Sequence, residues 1–257
     1  MPIDRYSDTS PLFFEPNESV ELARYLDITK FISLLKDEQL FFCRLDKLED
    51  RFEGTLTKIS RINFGDYYRD LNTIGFFKQT KTDEEIEKRI NEDFEFREKL
   101  KSLNCISCWN EFKGESYALW KVYSDLNQGI MIKSSFKRVI NAFKESEEKI
   151  YCSRVKYIDH ETDSIDIGNT MTPMVHKHKA YSYEDEIRLI HEVSNVGWKH
   201  DWENDKYENG VKIKVNLHEL INEIVISPFS SDWFTELIKD ILDKYSLNCK
   251  LSSSKLK

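Results

Sequence analysis

Apolar and polar positions alternate in short blocks from residue 21 onward, and no apolar run approaches the ~20 residues needed to cross a bilayer. Residues 21–26 predict a strand. Residues 28–38 place Phe31, Ile32, Leu34 and Leu35 on one face and predict a helix, with Asp27 as its N-cap. The Phe-rich segment 40–44 predicts a second strand, and 46–54 an acidic loop. Around 78–103 the chain is highly charged, with Ile86, Ile90, Phe94 and Leu100 at near-helical spacing, which predicts an exposed helical excursion. Strands are expected at 104–109, 129–132, 150–158, 211–215, 223–227 and 249–252. A short helix is expected over 115–123, a helix capped by Ser134 or Ser135 up to Phe143, a helical turn within 173–180, and a helix over 233–245 capped by Ser231 or Asp232. Residues 184–193 alternate with Ile187, Leu189, His191 and Val193 on one face. Glu184, Glu186, Arg188, Ile190 and Glu192 lie on the other. This irregular order predicts a single α+β domain over 21–257, with a central mixed, mostly antiparallel sheet flanked by helices and a polar arm over residues 1–20.

Composition narrows the function. The chain has 257 residues, 40% hydrophobic and 33% charged, as a globular domain does. It has only 8 glycines and neither G-x-G-x-x-G nor G-x-x-x-x-G-K-[ST], which argues against the common dinucleotide and P-loop sites. A net charge of −8 disfavours broad non-specific DNA binding. Residues 1–10 lack an apolar export signal, and Cys43, Cys105, Cys108, Cys152 and Cys249 are an odd, scattered set. Together these imply reduced thiols and a cytoplasmic protein, with no membrane partner.

Four groups could carry chemistry. Glu184, Glu186 and Arg188 project together on a regular strand. Such a carboxylate pair suits sugar hydroxyls and a cationic sugar transition state, or else forms an exposed face with a local ion pair. Cys105-Ile106-Ser107-Cys108 has C-x-x-C spacing, and His176 and His178 could complete a zinc site. On a strand, however, the two cysteines face opposite ways, so a buried strand without metal is expected, with Ser107 as a polar group between large neighbours. Trp120 and Tyr123 share one side of a short helix and serve either as core or as a stacking pair. Arg24 and Tyr25 sit on the first strand. A strand arginine needs a carboxylate, with Asp50 or Glu53 available, or a phosphate. Arg44 and Asp46 follow the second strand, His191 reads as a core histidine, and no hydrolase elbow, zincin or kinase signature occurs.

Taken in order, these pieces resemble a widespread bacterial family of unknown function over about residues 22–252. The resemblance rests on Arg24-Tyr25 through Leu48-Glu49-Asp50-Arg51-Phe52-Glu53, with Arg51 where proline is expected. It continues in Ser107-Cys108-Trp109, Glu115-Ser116, Trp120, Tyr123 and Gly129-Ile130, and ends in Lys179, Tyr183, Glu184, Glu186 and Arg188. Similar proteins are associated with abortive infection, which implies a role in phage defence. More distantly, the order Arg24, Ser107, Glu184-x-Glu186 resembles the R-S-E pattern of ADP-ribosyltransferases, a fold that also opens strand–helix–strand.

That second resemblance implies NAD as substrate. Arg24 would bind the pyrophosphate, with Tyr25 and Arg188 among the contacts, and Trp120 or Tyr123 would stack on nicotinamide. Glu186 would stabilise the oxocarbenium ion, Glu184 would orient the acceptor or take its proton, and Ser107 would support the glutamate. The acceptor would be protein, nucleic acid or water. Two other readings stand beside it: a non-catalytic sensing module, and a nuclease holding a divalent metal with Asp46, Asp50, Glu184 and Glu186.

Overall fold

The computed structural model describes residues 13–77, 79–193 and 207–256, so most of the expected arm lies outside the described residues. The strand–helix–strand opening is present as β1 (Glu21–Asp27), α1 (Ile28–Asp37) and β2 (Gln39–Arg44). The Asp27 carboxylate accepts the Lys30 backbone N–H at 2.9 Å and starts α1. Glu38, in the left-handed region at φ 48°, ends the helix, and β2 begins at the next residue. Phe31, Leu34 and Leu35 are buried, as their spacing predicts.

Two helices follow, α2 (Lys58–Thr73) and α3 (Asp83–Leu100). They form a hairpin with its own small core of Phe64, Ile86 and Ile90. The sequence reading anticipated α3 but not α2, whose buried positions are Ser60, Phe64 and Gly65 and give almost no apolar stripe. Both helices are capped by threonine, Thr57 and Thr82, the latter in a capping box with Glu85.

The chain then runs through β3 (Asn104–Glu111), α4 (Tyr117–Tyr123), β4 (Gly129–Ser135), α5 (Phe136–Ala142) and β5 (Tyr151–Arg154). After these come β6 (Lys156–Ile158), β7 (His176–His178), β8 (Glu186–Glu192), β9 (Gly210–Lys214) and α6 (Leu217–Leu220). It finishes with β10 (Glu223–Ile226), α7 (Asp232–Lys244) and β11 (Lys250–Ser253). Among the described residues nine strands form one sheet in the order β11-β10-β4-β1-β3-β2-β9, with β8 against β3 and β5 against β8. Its pairs are antiparallel except β10–β11, so the mixed α+β architecture with a mostly antiparallel sheet is as expected. The large core joins one face of the sheet to α1, α5, α6 and α7. On the other face, α4 covers Ala23, Tyr25 and Met131.

Three local expectations are corrected. The strand expected over 150–158 is broken into β5, in the main sheet, and β6, which pairs with β7 in a separate parallel ribbon. The turn expected within 173–180 is a 3₁₀ turn at Thr172–Val175, then β7, then a second 3₁₀ turn at Lys179–Glu184. The strand expected at 184 begins at Glu186. It is buried on both faces, because it lies between β3 and β5 and is covered above and below.

One topological detail opens the site. β1 meets β3 at Ala23–Asn110 and Leu22–Glu111, while β2 meets the same edge of β3 at Cys43–Ile106 and Arg44–Cys105. Between those contacts Ser107, Cys108 and Trp109 have no strand partner on that edge among the described residues, so the sheet is split there.

Candidate active site

A cleft of about 560 Å³ lies at the split, walled by β1, α1, β2 and β3 and reaching Tyr123, Glu184 and Glu186. Arg24 enters it from β1. Its Nη1 donates to Ser107 Oγ, and its guanidinium lies 5.9 Å from the Trp109 ring centroid. It has no carboxylate partner among the described residues. Burial lowers its pKa from the ordinary value, and the nearby groups that counter this are the thiols of Cys108 and Cys43.

The opposite wall is an ion network. Tyr123 Oη donates to Glu184 Oε1 at 2.5 Å, and Lys177 Nζ donates to Glu184 Oε2 at 2.6 Å and Glu186 Oε2 at 2.9 Å. Arg188 donates from Nε to Glu186 Oε1 at 2.6 Å, from Nη2 to Glu53 Oε1 at 2.8 Å and from Nη1 to the Met174 carbonyl at 2.7 Å. Lys177 also lies 3.5 Å from Glu53. Three carboxylates thus face two cations in this network.

Each ionisation has a local cause. Burial works against the charge of Glu186, yet Arg188 and then Lys177 hold its carboxyl well below the usual range, helped by the Cys108 thiol. Burial pushes Glu184 up, against Lys177 and Tyr123. Burial likewise pushes Glu53 up, against Arg188, and the neighbouring Glu186 adds to the rise. Lys177 is buried, but Glu186, Glu53 and Glu184 together raise it above its ordinary value. The Tyr123 hydroxyl is raised by burial and by Glu184, so it stays a donor.

Glu184 and Glu186 converge, but not through strand periodicity. Glu184 ends a 3₁₀ turn, Asp185 sits in the left-handed region at φ 43° and ψ 51°, and Glu186 starts β8. The turn swings the first carboxylate beside the second. Lys177 comes from the small ribbon, where it is the register partner of Tyr157. Tyr157 Oη accepts the Glu186 backbone N–H at 2.8 Å, so both members of that pair reach Glu186.

Of the sequence-derived site residues, Arg24, Tyr25, Tyr123, Glu184 and Glu186 line the cleft, and Ser107 supports it through Arg24. Trp120 does not line it. Its ring is fully buried edge-on to Tyr25 at 4.9 Å, and its Nε1 donates to Glu115, because α4 turns this side chain into the core and leaves Tyr123 at the mouth. Tyr25 accepts the Ser116 N–H at its hydroxyl, which ties β1 to the start of α4. Arg188 is fully buried behind Glu186 and bonds no part of the cleft beyond that residue. Glu53 pairs with Arg188 rather than Arg24.

Lys179, the lysine of the third motif block, is exposed on Asp159, whereas Lys177 occupies the site. Sequence reading missed Lys177. A lysine two positions along in H-K-H-K shows nothing in spacing that marks it as buried. The nuclease acids are not gathered: Asp46 is bound by Arg44 at 2.9 and 2.7 Å, and neither Asp46 nor Asp50 lines the cleft. Among the described residues no group of three or more His, Cys, Asp or Glu is placed to hold a metal ion. Cys105 and Cys108 are free, with Cys105 pushed up to about 12 by burial.

A family model described as a protein of unknown function (DUF2971) matches residues 119–189, the stretch that carries Tyr123, Lys177, Glu184, Glu186 and Arg188. No curated protein matches. Similar solved structures include two of DarT from Thermus sp. 2.9. The complex with carba-NAD+ is 9% identical, with 93% of this chain and 97% of that chain covered and a TM-score of 0.40. The complex with NAD+ is 10% identical, with 94% and 98% covered and a TM-score of 0.40. A TM-score of 0.40 does not establish a shared fold. Over 119–189 the chain is similar to the family of unknown function.

Proposed function

We propose that the protein cleaves NAD between nicotinamide and ribose and passes the ADP-ribosyl group to an acceptor or to water. One observation carries this reading: Arg24, which has no carboxylate partner among the described residues, lines the same cleft as the paired carboxyls of Glu184 and Glu186. A ligand that satisfies both ends is anionic at one end and cationic or hydroxyl-bearing at the other, as a dinucleotide with a pyridinium ring is. The R-S-E order of Arg24, Ser107 and Glu184-x-Glu186 points the same way.

In this reading Arg24 holds the pyrophosphate, steadied by Ser107. Tyr123, whose ring is partly exposed at the cleft, packs against nicotinamide. The C1′–N bond breaks heterolytically, and its electron pair goes to the pyridinium nitrogen, which leaves as neutral nicotinamide. Positive charge then grows on the ribose. Glu186, fixed in its ionised form, opposes that charge from a buried position where electrostatics are strong. The acceptor O–H or N–H adds to C1′, and Glu184 takes its proton. The resemblance to abortive-infection proteins supports reading the activity as that of a toxin or defence effector.

The test is incubation with NAD while nicotinamide is followed by chromatography. The wild type should release it, and Glu184→Gln should cut the rate by roughly 100-fold or more. A wild type that leaves NAD intact and does not bind it removes this reading in favour of the non-catalytic module.

A further inference from the structure

Lys177 is 7% exposed and reaches the site from β7, outside the main sheet. Its ammonium has three carboxylate neighbours, Glu184 at 2.6 Å, Glu186 at 2.9 Å and Glu53 at 3.5 Å, and lies 4.8 Å from the Tyr181 ring centroid. It is the only cation that touches both cleft glutamates among the described residues, because Arg188 bonds Glu186 and Glu53 but not Glu184. Without it, Glu184 would keep one donor, the neutral Tyr123 hydroxyl, beside the charge of Glu186.

We propose that Lys177 is the positioning residue of this site: it locks Glu184 and Glu186 side by side and keeps Glu184 ionised and ready to accept a proton. The inference rests on the ADP-ribosyl reading for its chemical purpose, but not for its test. The groups that face Glu184 are Tyr123 from α4, Lys177 from β7, Glu186 from β8, Tyr157 from β6 and Tyr183 from its own turn. Among these Lys177 is the sole cation, so the charge state of Glu184 depends on it. The register partner Tyr157 fixes the Glu186 backbone, so the ribbon secures the pair through both main chain and side chain. Buried like-charged carboxylates do not both ionise without such a cation.

The experiment is a carboxyl-carbon NMR titration of the full chain labelled at glutamate, with Glu184 assigned from the Glu184→Gln spectrum. Four proteins are compared: wild type, Lys177→Met, Lys177→Arg and Tyr123→Phe. Glu184 should be ionised at neutral pH in the wild type and in Tyr123→Phe. Its midpoint should rise by at least about one pH unit in Lys177→Met and return toward the wild-type value in Lys177→Arg. An unmoved midpoint in Lys177→Met overturns the proposal. So does proton uptake near neutrality in Tyr123→Phe, which decides the matter even if Lys177→Met does not fold. Loss of melting temperature alone, as a purely structural lysine would give, does not move the midpoint. Nicotinamide release by the wild type judges the ADP-ribosyl reading separately, whichever way the titration falls.

Discussion

Removing the Arg188 side chain leaves Glu53 and Glu186 buried with Lys177 as their only shared cation. Arg188→Leu should therefore lose about 3–5 kcal/mol of stability, read as a large fall in melting temperature. Arg24 has a hydroxyl and an aromatic ring as neighbours and no carboxylate among the described residues, so Arg24→Ala should melt close to the wild type while losing the proposed NAD binding. An Arg24→Ala protein that melts far lower, with binding intact, would reverse this assignment. Glu186 differs from what its spacing suggested. Strand spacing places it with Glu184 and Arg188 on one face, exposed or open to sugar hydroxyls, but the residue is 2% exposed and its carboxylate is bonded by both Arg188 and Lys177. Glu186→Gln should lower the melting temperature as well as the rate, whereas Glu184→Gln should act mainly on the rate. The residue types of the site were legible because arginine, serine and paired glutamates are conspicuous on apolar strands. Their partners were not: Glu53 lies 135 positions from Arg188, and no local pattern reports a contact of that range.

Among the elements, those with strong internal periodicity were readable. α1 shows its apolar stripe and cap in eleven residues, and the mostly antiparallel sheet follows from short alternating strands. α2 was silent because a hairpin held by Phe64, Ile86 and Ile90 needs few apolar positions. The segment before β8 misled for a different reason. Period-two spacing groups Glu184 with Glu186 on a regular strand, and the two do converge, but through the left-handed Asp185. A β-branched residue is disfavoured at that φ, so Asp185→Val should cost roughly 1–2 kcal/mol and pull Glu184 off Lys177. Asp185→Gly, which fits the conformation, should keep both the fold and the cleft geometry. Paired melts and NAD-binding isotherms on the two variants check this, and equal behaviour would show that the turn does not set the glutamate geometry.

At the scale of the molecule, acid should act first through its buried histidines. His160, clustered with the rings of Phe52 at 4.8 Å and His178 at 5.8 Å, is held below the ordinary histidine value by burial and by His178. Burial lowers His176 as well. The unfolded chain therefore binds more protons than the folded one below about pH 6.5, so the stability these groups contribute is present above that value and lost as pH falls. Glu53 and Glu184, held above their ordinary values, act in the opposite sense, so a variant is needed to isolate the histidine. Between about pH 7.5 and pH 5 the wild type should lose more stability than His160→Phe, which keeps the ring stack but cannot be protonated. Parallel denaturant titrations would show no difference if His160 were indifferent to pH. The split in the sheet has a consequence of its own. Wherever an amide of Ser107, Cys108 or Trp109 points toward the unpaired edge of β3, no strand of the described residues shields it, although β3 lies in the middle of the sheet. Such a position is a built-in reporter. Deuterium should enter there faster than along the β3–β8 seam, and a dinucleotide bridging Arg24 and Glu184 should slow the exchange, so occupancy could be followed before any product is known.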